Sequence, residues 1–157
     1  MKPRKLTAKE VTFTLDVTQD DIDFRGNAMA SGDDAADREL EDEIAAALDR
    51  GDIEAWCRIV VKAHYQGFEG FDSLGGCCFL GPIEVDGETW SVKRQINEHV
   101  EAHGMREQAL DDLNERVAQT AVAQGGGQVT LPNGPVGVEE CEDNACAGCA
   151  WCDEVSQ

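Results

Sequence analysis

An α+β fold, a small antiparallel sheet with two main helices packed on one face, is what the sequence predicts. Three observations carry that expectation. Residues 11–17 and 54–66 alternate with period two, as half-buried strands do. Residues 34–50 and 91–123 repeat apolar side chains every three or four positions, the spacing of an amphipathic helix. The coarse order is then strand, helix, strand, strand, helix, which suits a small sheet backed by helices.

The first nine residues carry Lys2, Arg4, Lys5 and Lys9 and form a basic extension. In VTFTLDV, Val11, Phe13, Leu15 and Val17 share one face. Asp20, Asp21 and Asp23 then mark a turn, and Arg25-Gly26-Asn27 continues it as a loop. Ser31 or Asp33 can cap a helix starting near Asp34, along which Ala36, Leu40, Ile44 and Leu48 recur every four residues until Gly51 closes it. Asp37, Glu41, Asp42 and Asp49 point mostly away from that stripe, so the helix is expected to wear a negative outer face. In EAWCRIVVKAHYQ, Ala55, Cys57, Ile59, Val61, Ala63 and Tyr65 form one face, and Trp56, Arg58, Val60, Lys62 and His64 the other.

Gly67, Gly70, Gly75 and Gly76 punctuate the next stretch, with a short returning strand expected only at Cys77 to Leu80. Pro82 and the turn dipeptide Asp86-Gly87 end it. From Ser91 to Ala123, Ile96, Val100 and His103 and then Leu110, Leu113 and Val117 fall in register, with Gly104 placed to split or bend the helix. Gly125-Gly126-Gly127 reads as a linker, so the expected units are 1–9, an acidic domain over 10–124, and a tail over 125–157. Within the tail, residues 129–131 and 136–138 flank Pro132-Asn133-Gly134 as a small hairpin.

A chain of 157 residues that is 41% hydrophobic can bury a core, and it contains no apolar run near the ~20 residues a bilayer crossing needs. The basic start leads into polar Thr7 to Glu10, not the apolar run of a signal peptide, so a cytoplasmic, thiol-reducing setting is expected. The net charge of −19 excludes direct nucleic-acid binding and anionic membrane surfaces, since both demand Lys and Arg. The charge is uneven. Residues 16–54 hold 14 acids against Arg25, Arg38 and Arg50, a net of −11. Such a surface steers toward a basic partner, although acid runs also serve simply as solvated faces.

Two constellations name a chemistry. Cys141, Cys146, Cys149 and Cys152 read C-x4-C-x2-C-x2-C, and Cys-x2-Cys is the usual chelating unit for zinc. Four ligands within twelve residues is cramped, and the same spacings also resemble parts of ferredoxin motifs whose remote fourth cysteine is missing here. Free thiols or disulfides are the plain alternative. His99-x3-His103 sets two imidazoles one turn apart on a helix, with Cys77 or Cys78 available to join them; the plain alternative is two surface histidines. Trp56, on the polar face of its strand, either covers further core or joins a contact surface with Asp34, Asp37, Glu41, Asp42 and Asp49. Cys57 faces inward and is expected to be inert. No G-x-S-x-G elbow or phosphate-cradling glycine loop is present.

The segments Arg25-Gly-Asn-Ala-Met-Ala-Ser-Gly-Asp-Asp34, Glu54-Ala-Trp-Cys57 and Gly67-Phe-Glu-Gly-Phe-Asp-Ser-Leu-Gly-Gly-Cys77 resemble a group of short acidic proteins encoded by tailed phages and prophages. The likeness runs from about Val11 to Val117 and leaves the cysteine tail outside. It implies a phage or mobile-element setting inside a host cell and transfers no functional residue. The leading expectation is a non-enzymatic interaction protein whose acidic helix engages a basic host protein, replacing phosphates with carboxylates. A small zinc protein using its tail for docking, and a metal or thiol enzyme built on His99/His103 or the tail, are the other readings.

Overall fold

The computed structural model describes residues 4–28 and 31–123. The linker at 125–127, the hairpin expected at 129–138 and the four tail cysteines lie outside the described residues. The elements are β1 (Thr12–Gln19), α1 (Asp34–Asp49), β2 (Cys57–Tyr65), β3 (Phe68–Cys77), β4 (Ile83–Val85), β5 (Glu88–Trp90), α2 (Val92–Ala102) and α3 (Met105–Ala123). Short 3-10 turns at Ala8–Glu10 and Ile53–Ala55 precede β1 and β2.

The fold is α+β. An antiparallel sheet of order β1-β2-β3 forms the centre, and β4 and β5 make a separate two-stranded hairpin. β2 is the middle strand, and its inward residues Cys57, Ile59, Val61 and Ala63 are all at most 1% exposed. Ile96 and Val100 of α2 and Met105, Ala109 and Leu113 of α3 close over them, with Leu6 from the chain start. Burying one such Ile, Leu or Val side chain stabilises by about 1.5–3 kcal/mol. The alternation in 54–66 thus marks the core as expected, although the strand starts at Cys57 because residues 53–55 coil into a 3-10 turn.

The stretch 67–76 departs from expectation. Its glycines do not break the chain into turns: residues 68–77 are one continuous strand paired to β2 through a two-residue Gln66-Gly67 turn, both at positive φ. Gly70 is required by close approach. A Cβ there would sit 2.2 Å from the Leu113 backbone nitrogen and 2.5 Å from the Ala109 carbonyl oxygen, so α3 crosses β3 with no room for a side chain. Pattern reading assigns glycine to turns by default, and here the demand came from a helix forty residues away.

Asp86-Gly87 does make a turn, with φ of 51° and 83°, and it joins β4 to β5 in a hairpin that the sequence reading missed. Gly104, at φ 60°, splits the last helical stretch into α2 and α3. Ser91 caps α2 by accepting the Arg94 N–H at 3.3 Å. α1 packs on the 3-10 turn Ile53–Ala55, and only Ile44 and Ala47 of its sixteen residues are buried. No described helix is long and apolar enough to cross a membrane.

Candidate functional site

Three groups of side chains merit a functional reading: the acidic helix, a buried carboxylate at the end of β1, and a cysteine–histidine contact between β3 and α2.

Helix α1 begins at Asp33, whose carboxylate accepts the N–H groups of Ala35 and Ala36 at 2.9 and 3.2 Å. The acids then divide between two sides. Asp37 accepts the Ser31 hydroxyl at 2.6 Å and the Ser31 backbone N–H at 3.2 Å, and Glu41 accepts the Gly26 N–H at 2.6 Å. Arg25 lies 3.8 Å from both Glu41 and Asp42. Asp37 and Glu41 are therefore half-buried struts for the loop that precedes the helix, a correction to the expectation that they face outward. The loop turns back over the helix on the side that Asp37 and Glu41 share with buried Ile44, seven and three residues further on.

The opposite side keeps its charge. Asp42 and Asp49 are exposed seven residues apart on the side away from Ile44 and Ala47, Glu39 and Glu43 are exposed along one flank, with Glu43 four residues from Ala47, and Asp34 is exposed in the first turn. Among the described residues, the side chains of Asp34, Glu39, Glu43 and Asp49 make no hydrogen bond or ion pair. Glu39 and Glu43 were missed as candidates, although their i, i+4 spacing sets them side by side on the helix.

Trp56 is not a surface residue. It is 3% exposed and donates its indole N–H to the Ile22 carbonyl at 2.7 Å. Of the two readings open to it, added core is the one realised: the ring is buried behind the polar face of the strand, against Gly76.

Beside it lies Asp20, whose side chain is wholly buried. Its Oδ2 accepts the Gly76 N–H at 2.7 Å, and its Oδ1 accepts the Ile22 N–H at 3.2 Å and the Arg58 guanidinium at 3.1 Å. Burial alone would raise this carboxyl's pKa. The bonds from Gly76, Ile22 and Arg58 together outweigh it and hold the group below the usual carboxylate range. Gly75 leaves space for it: a Cβ there would stand 2.5 Å from Asp20 Oδ2. Sequence reading placed Asp20 in a turn and gave it no further role. Three of its roughly four acceptor positions are taken by these bonds, so Asp20 is a clasp joining all three strands of the sheet.

The structure also brings Cys77 Sγ to 3.8 Å from His99 Nε2, with Phe79 edge-on to the imidazole and the His103 ring 4.2 Å away. His103 bonds through Nδ1 to the His99 carbonyl at 2.9 Å. Burial pushes the Cys77 thiol pKa up, while burial and the neighbouring His103 push His99 down. Both shifts favour the neutral forms. Proton transfer from sulfur to imidazole is therefore uphill, the reverse of what an activated thiolate needs. Among the described residues, no three His, Cys, Asp or Glu side chains are grouped to hold a metal. Cys78 is half-buried with its pKa raised by burial, and Cys57 is fully buried with its thiol pushed up to about 12.

No protein-family model, no curated protein and no solved structure matches the chain. The fold and the three groups above define a small acidic α+β protein with an exposed, acid-rich helix.

Proposed function

We propose that the chain is a non-enzymatic interaction protein whose outer α1 face engages a basic surface on a partner protein, one suited to holding nucleic acid. A phage or prophage setting, implied by the sequence resemblance, is part of this reading. The observation that carries it is the division of acids along α1. Asp37 and Glu41 are used internally, while Glu39, Asp42, Glu43 and Asp49 stand exposed, and of these four only Asp42 is in an ion pair among the described residues. Like charges at i, i+4 cost an isolated helix about 0.2–0.5 kcal/mol per pair. A basic partner would relieve that repulsion and release its own counterions as it binds.

The Cys77–His99 pair supports the non-enzymatic side of the reading, because burial keeps the sulfur a neutral thiol and not a thiolate. The test is a salt-dependent binding measurement. The immobilised chain is loaded with basic proteins from a prokaryotic cell extract and eluted on a salt ramp. It is compared with a variant carrying Glu39→Gln, Asp42→Asn, Glu43→Gln and Asp49→Asn. The variant should keep its fold by circular dichroism and release its partners at lower salt. Identical elution from both proteins would sink the proposal.

A further inference from the structure

We infer that β1 is a pairing edge for a second copy of this chain, joining two sheets by antiparallel β1–β1 addition about Leu15. The inference stands on backbone geometry and is independent of the acidic face. Thr12 pairs with His64 and Gln19 with Cys57, and the same register continues to Asp20, whose N–H donates to the Trp56 carbonyl at 3.1 Å. Hydrogen-bonded pairs alternate along an antiparallel ladder. Thr12, Thr14, Asp16 and Thr18 therefore turn their backbone groups to β2, and Phe13, Leu15, Val17 and Gln19 turn theirs outward. Among the described residues, nothing bonds to those outward groups, because β2 is the sole strand paired with β1.

The other edge of the sheet is guarded. On β3 the outward N–H of Phe71 donates to Asp112 of α3 at 2.9 Å, and Arg116 holds that carboxylate at 2.7 Å. Open edges are normally blunted by lysine, proline or a bulge. The strand TFTLDVTQ has none of these, and its register with β2 is unbroken over all eight residues. Its one charge, Asp16, is neutralised by Lys62 at 3.0 Å.

The strand is also complementary to itself. A twofold axis at Leu15 sets Leu15 opposite Leu15 of the second copy, Phe13 opposite Val17, Thr14 opposite Asp16 and Thr12 opposite Thr18. Phe13, Leu15 and Val17 are half-buried against the core, so the pairing covers apolar surface the single chain leaves open. A one-residue shift of the pairing would set core-facing residues opposite solvent-facing ones, and centring on Asp16 would oppose two carboxylates. Centring on Thr14 would draw in Val11, which lies outside the strand.

The test is sedimentation of the whole chain, reduced, over a concentration series, alongside amide exchange at Phe13, Leu15 and Val17. A dimer is expected, with these outward amides protected as concentration rises. Because each copy carries −19, added salt should tighten the dimer, the opposite of its effect on the acidic-face complex. Val17→Pro removes an outward N–H and no bond to β2, so the variant should keep its fold and weaken the dimer roughly tenfold or more. A monomer at every concentration with fast outward amides would overturn the inference. So would protection independent of concentration, which would put a segment of the same chain on the edge. A dimer unaffected by Val17→Pro would place the interface elsewhere.

Discussion

The carboxylate of Asp20 accepts the backbone N–H of Gly76 at 2.7 Å, tying the end of β1 to the end of β3 across the middle strand. Arg58 on β2 completes the tie from between them. One side chain thus closes the end of the sheet next to the Trp56 layer.

Asp20→Ala is expected to lower stability by about 2–4 kcal/mol, since it leaves a buried N–H and a guanidinium without their acceptor. Asp20→Asn should cost less, because its amide oxygen can still accept from Gly76. Denaturant unfolding at neutral pH distinguishes the two.

The same residue predicts a pH dependence. The folded pKa of Asp20 lies below the unfolded value, so its contribution is complete above the ordinary carboxylate pKa of about 3.9 and is lost as pH falls through the folded value. The stability gap between the native chain and Asp20→Asn should therefore narrow below about pH 4 and stay constant above pH 5. A gap that widens on acidification would refute the clasp.

His99 acts in a different window. Burial and His103 depress its folded pKa, so below about pH 6.5 the unfolded chain binds a proton that the folded chain does not. Stability should fall as pH drops from neutrality through this range, and His99→Phe should flatten that slope. Thermal melts between pH 7 and 5 test it.

Gly70→Ala is expected to destabilise by about 3 kcal/mol or more, because the new methyl meets backbone of α3 and cannot be accommodated by a side-chain rotation. Ser73→Ala, at an exposed position of the same strand, should lie within about 0.5 kcal/mol of the native protein. Paired urea titrations give both values.

Cys57 should resist alkylation. With its thiol near 12, its thiolate fraction at pH 8 is roughly a thousandfold below that of an ordinary cysteine, and the residue is wholly buried. Peptide mapping after brief iodoacetamide treatment should find Cys57 unmodified in the native chain and modified after denaturation.

The strands at 12–19 and 57–65 and the helix periods at 34–49 and 91–123 were legible in the sequence, because burial on one side of a strand or helix stamps a period on the residues themselves. The inert placement of Cys57 and the split at Gly104 were legible for the same reason, since each depends on a local conformation or on one face of one element. The hairpin 83–90 went unread because its strands are three residues each, too short to show a period.

Other features depend on what a residue meets in space. Gly70 reads as a turn until α3 is laid over it, and Asp20 reads as one more turn acid until Gly76 and Arg58 arrive from strands 38 to 56 residues away. Asp37 and Glu41 share their composition with Glu39 and Glu43, yet a returning loop takes the first pair and leaves the second in water. The sequence by itself determined the α+β class, the core face of β2 and the excess of acid around α1, all of which follow from residue type and local spacing. The tertiary structure alone decided which acids are free, which glycines are steric necessities and which sheet edge is open, because each is set by contacts between segments whose separation in the chain carries no record of their meeting.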